Sequence, residues 1–127
     1  MKATIVFLLF VCMFAVCAAD AGEPPAEWRV YIGTYTGGRS EGIYRLRLDA
    51  ETGRIESLGL AGAAENPSFL ALHPHKNILY SVGQGTDASG ARRGLANAFV
   101  IDPEQGVLTL LNRESTVGAG PCHITVD

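Results

Sequence analysis

Asp49-Ala-Glu-Thr-Gly53-Arg-Ile55 returns as Asp102-Pro-Glu-Gln-Gly106-Val-Leu108, 53 positions later. Pro67-Ser-Phe-Leu-Ala-Leu72-His73 returns as Pro121-Cys-His-Ile-Thr-Val126-Asp127, 54 positions later. Short apolar runs separated by turn residues fill the intervals, and beyond the N-terminal region no segment shows a convincing helical period. A repeat near fifty residues built in this way marks a β-propeller blade. Such units bury their apolar faces only against neighbours, so their number matters. The sequence holds fewer than two complete repeats. The fold class it predicts is all-β, a β-propeller present in part.

The alternation between the turns is that of strands. In Trp28 to Thr36, Val30 and Ile32 fall on one face, and Tyr31, Gly33 and Tyr35 on the other. In Ile43 to Asp49, Tyr44, Leu46 and Leu48 alternate with Arg45 and Arg47, the pattern of a half-buried strand. Asp49 to Gly53 is hairpin chemistry, because Asp bonds nearby backbone and Gly takes positive φ; Ile55 to Leu60 returns. Ser68-Phe-Leu-Ala-Leu72 is apolar after its serine, as for a strand covered on both faces. His73 to Asn77 turns the chain, Ile78 to Val82 comes back, and a long Gly-rich connection is expected from Gly83 to Gly94. Asn97 to Ile101, the Asp102 to Gly106 turn and Val107 to Leu111 complete a four-stranded meander. Residues 29–127 therefore divide into an incomplete three-stranded blade at 29–61, a complete blade at 66–112 and the start of another at 120–127. A closed ring of about seven such repeats needs roughly 370 residues. A first unit lacking its inner strand fits a ring closed by mixing terminal strands in one blade.

Residues 1–21 read as a signal peptide. Lys2 supplies a minimal positive region, Ala3 to Val16 an uncharged run too short to span a bilayer comfortably, and Ala19-Asp20-Ala21 a cleavage site. A retained anchor is the alternative. Cys17 invites a lipoprotein reading, but Val16 before it makes a poor lipobox. The expectation is export to the periplasm or outside, with no stable membrane association after cleavage and a Pro-containing linker at 22–28. The formal net charge is −3, and Lys2 and Asp20 cancel, so the exported part keeps it. That balance is too mild to point to nucleic acid or an anionic membrane as partner. Only Cys122 lies beyond the leader, so the exported part forms no internal disulfide. A lone thiol of this kind reads as a small hydrophobe before it reads as a nucleophile.

Val30-Tyr-Ile-Gly-Thr-Tyr-Thr36, Gly42-Ile-Tyr44, Asn66-Pro-Ser-Phe-Leu-Ala-Leu-His-Pro74 and Gly120-Pro-Cys-His-Ile-Thr-Val-Asp127 together resemble the opening of the lactonase-type seven-bladed propellers. That family includes the propeller-type 6-phosphogluconolactonases and the fungal carboxy-muconate lactonizing enzymes. The resemblance covers nearly everything after the leader. It implies about two blades of an expected seven, with the missing blades of the full-length chain as partners. The implied activity is a hydrolase opening a sugar 1,5-lactone, acting on a small-molecule lactone or sugar with neither metal nor other cofactor. Two alternatives stay open: a non-catalytic propeller binding sugar or protein, and a lactonizing isomerase acting on a dicarboxylic acid. Export argues for an unphosphorylated lactone, because phosphogluconolactone is a cytosolic metabolite.

Lactone hydrolysis needs a general base for water and donors for the developing oxyanion. Propeller topology places Thr36 to Glu41, Ala64 to Asn66, Gly83 to Gly94 and Val117 to Cys122 at one mouth. The Asp49 and Asp102 hairpins and the His73 turn fall at the other end. His123 is the catalytic candidate, since it begins an inner strand at the mouth and matches the histidine of the family's Pro-x-His-apolar motif. Its other reading is structural, with the ring bonded to a neighbouring blade's backbone; its counterpart in the repeat is Phe69. Arg92 and Arg93 are the substrate-binding candidates, able to meet a phosphate or carboxylate, against the reading of a solvated loop pair. Gly83-Gln-Gly85 lacks the following helix that a phosphate loop needs. His73 and His75 flank a proline in a turn with no third ligand near, which reads as turn rather than metal site. No Gly-x-Ser-x-Gly nucleophile motif is present.

Overall fold

A computed structural model describes residues 26–127; the signal-peptide reading lies outside the described residues. Seven strands follow in order: β1 (Glu27–Gly33), β2 (Gly42–Asp49), β3 (Ile55–Ala63), β4 (Pro67–Leu72), β5 (Ile78–Thr86), β6 (Arg92–Ile101) and β7 (Leu108–Ser115). They form two antiparallel meanders, sheet A in the order β1-β2-β3 and sheet B in the order β4-β5-β6-β7. The repeat read from the sequence is visible in the turns. The Asp49 carboxylate accepts hydrogen bonds from the amides of Glu51 (2.9 Å) and Thr52 (3.0 Å), and that of Asp102 from Glu104 (2.9 Å) and Gln105 (2.6 Å). Each turn then closes through a glycine at positive φ, 71° at Gly53 and 72° at Gly106, where a side chain would be strained.

The structure corrects one segment. Gly83 to Gly94 is not a long loop: β5 continues to Thr86, β6 begins at Arg92, and the connection is only Asp87–Ala91. The glycines are there for close approach. A Cβ at Gly83 would overlap the Asn66 carbonyl, and one at Gly85 the Glu65 carboxylate. Strand β1 starts at Glu27, inside the stretch read as linker. Residues 120–127 carry no ladder.

Strand alternation decides how the two sheets meet. Ile43 of sheet A packs with Leu79, Phe99 and Leu108 of sheet B, joined by Ala61 and Ala64; Ile43 and Leu79 are 0% and Phe99 1% exposed. Burying side chains of this size contributes roughly 1.5–3 kcal/mol each. At the far end from the loops of the mouth, sheet A grips the Asp102 turn by its carbonyls. Arg29 donates to Glu104 (2.8 Å) and Pro103 (3.3 Å), Arg45 to Gln105, and the Tyr31 phenol to Gly106 (2.9 Å). Burial raises the Tyr31 pKa, and the neighbouring Arg29 and Arg45 oppose it. Tyr31→Phe removes one donor from a half-buried carbonyl without changing shape. Its expected cost is about 1 kcal/mol in a urea titration; no change in midpoint would mean the turn is held by the arginines alone.

The opposite face of sheet A is also apolar. Trp28 and Ile32, in register with Leu48 and Tyr44, are 48% and 43% exposed, and Ile55 is 63% exposed. These residues alternate with those facing sheet B, so one sheet carries two core-type faces and only one is covered within residues 26–127.

Candidate active site at the mouth

Loop segments gather at the end of the sheets opposite the two Asp turns, and Asn66 ties its own turn to the Thr36 loop and to strand β5. Its φ of 42° is one that asparagine tolerates better than most residues, and Pro67 after it restricts its backbone further. Its carboxamide oxygen accepts from the Thr36 amide (2.9 Å), its own amide donates to the Thr36 hydroxyl (3.1 Å), and its carboxamide nitrogen donates to the Gln84 carbonyl (3.0 Å). Glu65 beside it accepts from the Thr86 amide at 2.7 Å. The Gln84 side chain carries the network onward, donating to the Ala119 carbonyl (2.9 Å) and accepting from Arg92 Nη2 (2.8 Å).

An open cleft of about 340 Å³ lies over this network, lined by Tyr35, Asn66, Ser68, Gln84, Arg92 and the segment Gly120–Cys122. Its chemistry is that of a polar-ligand site: a guanidinium fixed by Gln84, a hydroxyl, a carboxamide and an exposed thiol. A depression of similar volume between Trp28, Arg29, Leu46 and Glu104 lies at the other end, against the Asp102 turn, and holds none of the candidate residues.

Arg92 lines the cleft, and so does Cys122, the residue before His123. The His123 ring stands against Phe69, with centroids 4.5 Å apart and planes tilted by 53°. These are the residues the repeat pairs as counterparts, and their contact puts His123 beside the inner strand β4. The His123 ring makes no hydrogen bond to another described residue. Arg93 points away from Arg92 by strand alternation, and its Nε lies 2.7 Å from the Asp87 carboxylate. His73 accepts the His75 amide at 3.1 Å through its ring nitrogen, the arrangement of a turn.

The Asp87 turn is an acid-resistant feature of this end. The Ser89 hydroxyl, then Arg93, then the amides of Ala91 and Ser89 hold the Asp87 carboxyl far below its ordinary value. A depressed folded pKa makes the contribution complete above the ordinary carboxylate range, and it is lost only as pH falls through the lower folded value. Carbon-detected NMR of the Asp87 carboxyl should show it still ionised at pH 3, where ordinary aspartates are mostly protonated. A midpoint in the ordinary range would contradict the turn geometry.

Asn66, Gln84, Ser68 and Tyr35 line the cleft without belonging to any site motif in the sequence. For Asn66 a signal exists, since an Asn-Pro step between two strands marks a fixed turn.

A family model described as "Lactonase, 7-bladed beta-propeller" matches residues 29–127. The 6-phosphogluconolactonase of Bacillus subtilis is 42% identical over 97 residues, covering 76% of this chain and 26% of that protein. Among solved structures, a candidate 6-phosphogluconolactonase from Bacteroides fragilis superposes with a TM-score of 0.69 at 35% identity, over 85% of this chain and 29% of the other. The periplasmic gluconolactonase of Pseudomonas aeruginosa gives 0.69 at 27% identity, over 79% and 28%. The chain thus spans about a quarter of the length of the relatives it matches.

Proposed function

From the seven-bladed lactonase β-propeller family, to which this chain belongs, we propose that it is part of a hydrolase opening a sugar 1,5-lactone. The observation that carries the proposal is the shared cleft. Arg92, fixed by Gln84, and the segment leading into His123 meet at one mouth. In this reading His123 takes a proton from water as the water oxygen attacks the lactone carbonyl. The tetrahedral oxyanion collapses, the ring C–O bond breaks, the ring oxygen recovers a proton, and a hydroxy acid leaves. Arg92 presents N–H donors to the polar or anionic substituents of the sugar. Further donors for the oxyanion belong to blades outside residues 26–127.

We further propose that the substrate is unphosphorylated and met outside the cytoplasm. The support is the N-terminal leader in the sequence, together with the likeness to a periplasmic gluconolactonase. The test is a full-length ring carrying residues 29–127, assayed with glucono-1,5-lactone and its 6-phosphate. The expected result is turnover of the neutral lactone, with Arg92→Ala raising KM about tenfold and changing kcat little. Preference for the phosphorylated lactone would reverse the substrate assignment. Binding of a sugar by calorimetry with no hydrolysis would replace the enzyme by a binding module.

A further inference from the structure

We propose that Tyr35 is the platform on which the sugar ring of the substrate stacks, setting how tightly a lactone is held and not how fast it opens. The inference rests on the lactonase reading and names a residue for its substrate specificity. Strand alternation sets where the aromatic ring goes. Tyr31, Gly33 and Tyr35 share one face of their segment, the face turned to sheet B. The Tyr31 phenol reaches the Gly106 carbonyl at 2.9 Å, and a Cβ at Gly33 would overlap the carbonyl of Pro67, the first residue of β4. Tyr35 follows two residues later, about 6–7 Å along an extended chain, so it projects past the start of β4 and out over the cleft. It is 77% exposed while lining that cleft. Its exposure is set by the end of sheet B, the neighbour on that side, and not by the outer face of sheet A.

The backbone on either side of Tyr35 is pinned. The Thr34 hydroxyl donates to the Gly42 carbonyl at 2.6 Å and meets the Ser40 hydroxyl. The Thr36 amide donates to the Asn66 carboxamide oxygen at 2.9 Å, and the Thr36 hydroxyl accepts the Asn66 amide at 3.1 Å. These bonds hold an aromatic ring in water, although a side chain of this kind gains most by burial. An aromatic fixed in solvent over a polar cleft is preorganised for a ligand, because little ordering remains to be lost on binding. The cleft matches the two sides of a pyranose lactone, an apolar C–H face and a rim of hydroxyls. Tyr35 supplies the aromatic surface, and Ser68, Gln84 and Arg92 supply the polar groups. Contact with the face of the sugar ring changes little as the carbonyl carbon becomes tetrahedral. Tyr35 therefore contributes equally to the ground state and the transition state, which lowers KM and leaves kcat as it was.

The experiment uses a full-length ring carrying residues 29–127, with glucono-1,5-lactone as substrate and glucono-1,5-lactam as a ligand of the same shape that resists hydrolysis. Tyr35→Ala is expected to raise KM about tenfold, the upper end of what an aromatic contact contributes. Its kcat should stay within about twofold of wild type, and calorimetry should show the lactam weakened by the same factor as KM. Tyr35→Phe keeps the aromatic face and should stay within about threefold of wild type in both measurements. Both variants should melt with the wild type, because a side chain so exposed adds little to folding. Tyr35→Ala binding the lactam as tightly as wild type, Tyr35→Phe failing as badly as Tyr35→Ala, or a fall in kcat with KM kept would each overturn the platform. The outcomes also separate it from the hydrolase reading. Lactam binding that depends on Tyr35, with no turnover of the lactone, upholds the platform and refutes the hydrolase. Turnover indifferent to Tyr35 does the reverse, and a wild type that neither turns over the lactone nor binds the lactam overturns both.

Discussion

Phe99→Ala is expected to unfold the two-sheet unit, while Leu46→Ala, at the same position of the repeat, leaves it folded. Phe99 is 1% exposed and packs with Leu79, Leu108 and the facing Ile43. Removing a buried phenylalanine costs roughly 3–5 kcal/mol, through lost transfer energy and the cavity left behind. A unit of about one hundred residues has only about 5–15 kcal/mol of stability, and this one leaves one apolar face of sheet A uncovered, so the lower end applies. Leu46 is only half-buried, and its truncation should cost about 1 kcal/mol. Urea titrations at low micromolar concentration, read by far-ultraviolet dichroism, compare the two directly. Equal midpoints would mean that the faces assigned to the sheets are wrong. In a ring that covers the outer face of sheet A, the two variants should become similarly damaging.

His123→Ala, placed in a full ring carrying residues 29–127, should lower kcat for lactone hydrolysis by about two orders of magnitude, the lower range for loss of a general base. The ring lies against Phe69, so its orientation is set by packing and its nitrogens stay free for water. His123→Phe preserves that packing while removing the base. It should keep the fold and lose the rate as fully as alanine. The pH profile separates chemistry from structure: the acidic limb of kcat/KM, which reports the base, should vanish in both variants. Equal rates for wild type and His123→Phe would return His123 to the structural reading, and a rate lost only in alanine would mean that its role is to pack.

The parts legible in the sequence are those with local causes. Asp49 and Gly53, Asp102 and Gly106 make turns through their own side chain and backbone, so a repeat of those residues is a repeat of the fold. Gly83 and Gly85 misled for the opposite reason. Glycine usually interrupts strands, but here Gly83 lets β5 run under the backbone of Glu65 and Asn66, and Gly85 lets it run under the Glu65 side chain, which nothing local announces. The site divides in the same way. Arg92 is legible as a cation near the mouth, whereas the residues that aim it are not. Asn66 and Gln84 act across 30, 18 and 35 positions of sequence, and only the meeting of the loops brings those positions together. Arg93, adjacent to Arg92, reads as its pair in the sequence, but strand alternation sends it to Asp87.

The central claim is that residues 29–127 are consecutive blades of a lactonase ring, with covered faces and a working mouth only inside that ring. The most direct measurement is a graft: the quarter of the Bacillus subtilis 6-phosphogluconolactonase that matches this chain is replaced by residues 29–127, and the product is assayed for mass, cooperative melting and lactone hydrolysis. The account predicts a monomer with one melting transition and measurable hydrolysis. A graft that is unfolded, or that carries residues 29–127 as a separately melting unit beside an open ring, would contradict it.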